Sequence, residues 1–90
     1  MASIATHQYT LSATPVEVVH WHNQGMTLTF HNSAKSSNNK IYLGTSSVST
    51  TTGLHIDADQ FLQITIGPEQ VLWAVSDPVG VVLEVIEQRM

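Results

Sequence analysis

Apolar and polar residues alternate along most of this chain with a period of two. That period belongs to β-strands, whose successive side chains point to opposite faces. Residues 4–11 alternate weakly, with Ala5, His7, Tyr9 and Leu11 on one side. Residues 16–21 form a valine-rich second strand. His22-Asn23-Gln24-Gly25 reads as a tight connection in which Gly25 supplies a positive φ. Residues 26–31 alternate cleanly, with Met26, Leu28 and Phe30 inward and Thr27, Thr29 and His31 outward. Residues 16–31 are therefore expected to form one antiparallel hairpin with a single buried face.

The remainder continues the pattern. Residues 32–40 are polar and without period, and predict an exposed loop. Residues 41–43 are a short strand ending at Gly44, followed by a loop to Gly53 whose only apolar member is Val48. Residues 54–56 predict a very short strand. Residues 60–66 alternate, with Leu62, Ile64 and Ile66 on one face, until Gly67-Pro68 breaks the run. Residues 71–76 resume it with Val71, Trp73 and Val75 on one face. Asp77-Pro78-Val79-Gly80 is a turn. Residues 81–86 are the last strand, and residues 87–90 are expected to fray. No segment carries a helical stripe. The expected fold is all-β: a single antiparallel β-sandwich, or a small barrel, of seven to eight short strands. Residues 1–15 are an edge strand or an arm that adds to a neighbour. Leu28, Phe30, Ile64, Ile66, Val75 and Leu83 are the expected core.

Composition narrows the function. Ninety residues make one domain, and a domain this small often gains stability by assembly. There is no cysteine, hence no disulfide or thiolate metal site. Three basic residues against seven acidic ones offer no patch for nucleic acid or an anionic membrane. No apolar run approaches a membrane span. The first residues, Met-Ala-Ser-Ile-Ala-Thr-His, lack the basic and apolar regions of a signal peptide. A surface rich in Ser and Thr suits a β protein that packs against copies of itself or a larger assembly, and equally a plain Thr-rich β domain; composition alone does not choose between them.

Candidate chemistry is sparse. His20 and His22 stand two apart on a strand, a spacing that puts both imidazoles on one side and suits a shared metal. The competing reading is a surface or subunit-contact pair. His7, His31 and His55 have no partner at ligand spacing. Asp57 and Asp59 make at most half of a calcium site. No nucleophile-base pattern and no phosphate loop is present, so no enzyme and no cofactor is expected. Tyr9, Trp21, Tyr42 and Val48 are the interface candidates, and Trp73 reads as core.

The run Ile-Tyr-Leu-Gly-x-Ser-x-Val-x-x-x-x-Gly, with the later Gly-Pro and Val-Leu-Trp-Ala-Val-Ser, resembles a group of small virion proteins of tailed bacteriophages. The resemblance is best over residues 40–76. Gly44-Thr45 stands where Gly-Gly is usual, and Trp73 where Tyr is commoner. The resemblance implies a virion structural protein made in the host cytoplasm. Its expected role is a capsid decoration protein that binds the assembled shell of major capsid protein as a homotrimer. A receptor- or glycan-binding module of a fibre is the alternative.

Overall fold

The computed structural model describes residues 3–20 and 23–89. Its strands are β1 (Ser3–Thr10), β2 (Val16–Val19), β3 (Met26–Asn32), β4 (Lys40–Gly44), β5 (Leu54–Ile56), β6 (Phe61–Ile66), β7 (Leu72–Asp77) and β8 (Val82–Arg89). They form two four-stranded antiparallel sheets, in the orders β1-β8-β3-β6 and β2-β7-β4-β5. The all-β sandwich expected from the alternation is the fold observed. Every connection except β4 to β5 passes from one sheet to the other, which makes the sandwich a jelly roll.

That topology corrects the expected hairpin. β2 pairs with β7, whereas β3 lies between β8 and β6 in the opposite sheet. The number of residues between them is sufficient for a chain to cross the roughly 10 Å between packed sheets. Gly25 takes no positive φ. It is small because a Cβ there would stand 3.2 Å from the carbonyl oxygen of Ile66. Placing the two strands in opposite sheets lets Val18 and Val19 of β2 and Met26, Leu28 and Phe30 of β3 be buried in one shared core. A register shift between Glu17 and Val19 buries Val18 and Val19 together.

The core lies between the sheets. Met26, Leu28 and Phe30 of β3 meet Leu83 and Val85 of β8, and Ile41, Leu43, Ile56 and Ala74 close the space from the other sheet. Ile64 and Ile66 pack against this cluster but are only partly buried, since β6 is an edge strand. The phase of β7 differs from the sequence expectation. Ala74 and Ser76 pair with Leu43 and Ile41, whose side chains point inward, so Trp73 and Val75 are on the outer face with Gly44 and Tyr42. Val75 is nevertheless fully buried. The strand is apolar on both faces, and alternation alone cannot phase such a strand. Val71 lies outside it and is exposed.

Residues 87–89 do not fray. β8 is central, and its last residues are laddered to β1 on one side and β3 on the other. Glu87, on the inward face, is buried and pairs with His7 at 3.4 Å. β1 is the edge strand, paired along its length with β8 of its own chain. In the single chain, residues 3–10 take the edge-strand place, one of the two expectations for residues 1–15. Pairing β1 at home shelters Ala5, His7 and Tyr9, as its alternation predicted.

Candidate functional site

The outer face of the β1-β8-β3-β6 sheet carries the candidate site. Its registers align side chains in rows across four strands. One row runs Thr6, Ile86, Thr29, Gln63; the next runs Gln8, Glu84, His31, Phe61. Thr29 accepts from the Gln63 amide at 3.3 Å, and Glu84 accepts from the Gln8 amide at 3.2 Å. Over these rows lies a groove of about 580 Å³, lined by Thr6, Gln8, Thr29, His31, Phe61 and Glu84 among others.

His31 is its centre. Nδ1 is 2.7 Å from Glu84 Oε1, and Nε2 is 3.0 Å from Asp59 Oδ1. Both nitrogens therefore face carboxylates, and the imidazolium can donate to both at once. The hydrogen bond to Glu84 raises the His31 pKa above its ordinary value; partial burial opposes this, and the bond to Asp59 reinforces it. The same bonds hold Glu84 and Asp59 below the ordinary carboxylate range, with Gln8 and Lys35 as their respective second partners. Phe61 stacks on the imidazole with centroids 4.2 Å apart and planes 13° apart, yet remains 68% exposed. One ring face is supported and much of the rest is open to solvent.

Sequence reasoning placed His31 outward but gave it no partner. Glu84, on an outward position of β8, and Phe61, of opposite parity to Leu62, carried the right phase. Only the sheet order brings β8, β3 and β6 side by side, and no spacing along the chain encodes that order.

The other candidates fall elsewhere. His20 is exposed, with Nδ1 2.7 Å from Glu17 Oε1 and Nε2 3.4 Å from the Tyr9 hydroxyl. His22 and Trp21 lie outside the described residues. Tyr9 is half-buried; burial raises its pKa, with Glu87 and Glu17 adding to the shift. Asp57 and Asp59 do not converge: Asp57 pairs with Lys40 and His55, Asp59 with His31 and Lys35. Among the described residues no cluster of three metal-ligating side chains forms. Tyr42 is half-buried beside His55. Val48 is corrected as an interface candidate, because it is only 5% exposed. It fills its own loop, against Gly44 and Gly53. Gly53 has φ 111°, and a Cβ there would meet the Leu43 carbonyl oxygen at 2.6 Å.

No protein-family model matches the chain, and no curated protein matches it. Among solved structures, a Bacillus endospore appendage protein, described as building disulfide-linked pili, has a similar fold. The TM-score is 0.63 at 10% identity, covering 99% of this chain and 84% of that one.

Proposed function

We propose that the chain is a non-enzymatic structural protein of a bacteriophage virion, decorating the assembled head as an oligomer, a trimer. The observation that carries this reading is the contrast between the edges of the two sheets. β1 and β6 are the open edges of one sheet, eight and six residues long, and contain no Asp, Glu, Lys, Arg or Pro. Solitary β proteins protect such edges with charge, proline, bulges or short length. The other sheet does so: β5 has three residues, and β2 is short, bulged and carries Glu17. Two long unprotected edges on one sheet suit a subunit that pairs with its surroundings.

The edges have a defined polarity. The Asn32 amide bonds the Gln60 carbonyl at 3.1 Å, so His31 and Phe61 form a pair without direct backbone bonds between them. The amides of Leu62, Ile64 and Ile66 then face β3, and those of Phe61, Gln63 and Thr65 face outward. By the same logic, the bond from Leu11 to Val81 turns the amides of Thr6, Gln8 and Thr10 outward on β1. The resemblance of residues 40–76 to phage virion proteins supports the choice of assembly. The sandwich of the appendage protein builds disulfide-linked pili. This chain has no cysteine, so its assembly rests on noncovalent contacts. Several weak contacts on one oligomer sum through multivalency. Binding the assembled shell in preference to free subunits stabilises the shell by linkage.

Cryo-electron microscopy of heads reconstituted with the purified protein tests the reading. Three-fold density on the outer surface at capsomer junctions is expected. Bare heads at saturating protein would contradict it.

A further inference from the structure

We propose that the groove on the outer face of the β1-β8-β3-β6 sheet binds a neutral pyranose sugar, stacked on Phe61. This inference does not rest on the assembly reading, since every group in it belongs to one chain.

The chemistry selects the ligand. Phe61 offers an exposed ring whose other side is backed by His31 at 4.2 Å, so the ring is supported rather than free to rotate away. An aromatic face of this kind takes the apolar C–H face of a sugar ring. The floor beside it is set with hydroxyls and amides, those of Thr6, Thr29, Gln8 and Gln63, fixed in rows by the strand register. These groups both donate and accept, as sugar hydroxyls do. Glu84 is held by His31 and Gln8, one to each oxygen, and retains further lone pairs to accept from a diol.

Charge and size agree with this choice. The carboxylates of Glu84 and Asp59 face His31, and Lys35 lies 3.4 Å from Asp59. Both carboxylates are thus already hydrogen-bonded by His31, and Lys35 offsets one of them, which suits a neutral ligand better than a cationic or anionic one. A groove of about 580 Å³ falls in the range of small-molecule sites. An extended peptide would instead seek the backbone groups of an open edge, which lie beside this face and not on it.

The test is a nuclear magnetic resonance titration of isotope-labelled protein with glucose, galactose, mannose and N-acetylglucosamine, each separately. At least one should shift the amides of Gln8, Thr29, Phe61 and Glu84 and saturate in the millimolar range. Phe61→Ala should weaken that binding by about ten-fold. Gln8→Ala, on a different strand, should also weaken it, which guards against misfolding of the first variant. Val79→Ala, equally exposed but in the β7–β8 turn and not part of the groove lining, should bind like the wild type. The proposal is overturned if none of the four sugars moves these amides, or if Phe61→Ala and Gln8→Ala bind as tightly as the parent.

Discussion

Asn32 shows how one polar residue fixes a loop that composition described only as polar. It ends β3 and is fully buried. Its side-chain amide donates to the carbonyls of Asn39 and Ile56 at 3.1 and 2.9 Å, and its oxygen accepts from the Ala34 amide. It thereby closes the loop onto the opposite sheet. Asn32→Ala leaves the buried Ile56 carbonyl without this donor, and we expect a loss of roughly 1–3 kcal/mol in urea denaturation. An unchanged midpoint would mean that water replaces the side chain without cost.

His31 is the residue whose behaviour pH should report. Its folded pKa is raised above 6.5, so its contribution to stability is complete below that value and fades as pH rises through the folded pKa. Glu84 and Asp59 are lowered from 4.5 and 3.8, so their contribution is complete above those values and fades as pH falls through the lowered ones. The network is whole from about 4.5 to 6.5. In a nuclear magnetic resonance titration the His31 midpoint should exceed 6.5, and Glu84→Gln should bring it down. A midpoint indifferent to Glu84→Gln would contradict the assigned hydrogen bond.

At the scale of elements, the strands themselves were legible because alternation is local. β3 and β6 came out with the right faces since each has one apolar side. β7 came out in the wrong phase because Val71, Trp73 and Val75 compete with Leu72 and Ala74, and a hydrophobicity pattern cannot rank two apolar faces. The pairing of β2 with β3 failed for a different reason: short links favour hairpins locally, but only the whole core decides whether a link turns back or crosses over. The groove was illegible for the same cause, since it joins residues from β1, β3, β6 and β8.

The edge strand β6 offers a paired prediction. Gln63 directs its backbone N–H outward, so Gln63→Pro removes no backbone bond of the ladder, only the exposed side-chain bond to Thr29, and should leave the fold intact. Leu62 directs its amide at β3, so Leu62→Pro should lose on the order of 3 kcal/mol or more. Circular dichroism melts of the two variants separate them. Equal destabilisation would show that the register of the open edge is misassigned.

The whole molecule combines one sheet with protected edges and one with long bare ones. That asymmetry, more than any single side chain, underlies the proposed role as a subunit of an assembly. The low charge content points to backbone and apolar contacts as the source of affinity, since exposed ion pairs contribute only about 0–1 kcal/mol. The most direct measurement is co-sedimentation of the protein with undecorated heads at low and high salt. The protein should pellet with the heads to the same extent at both salt concentrations, because screening weakens charge contacts and leaves strand pairing untouched. Gln63→Pro should pellet less while remaining folded. Failure of the wild type to pellet with the heads, or binding that collapses as salt rises, would contradict the account.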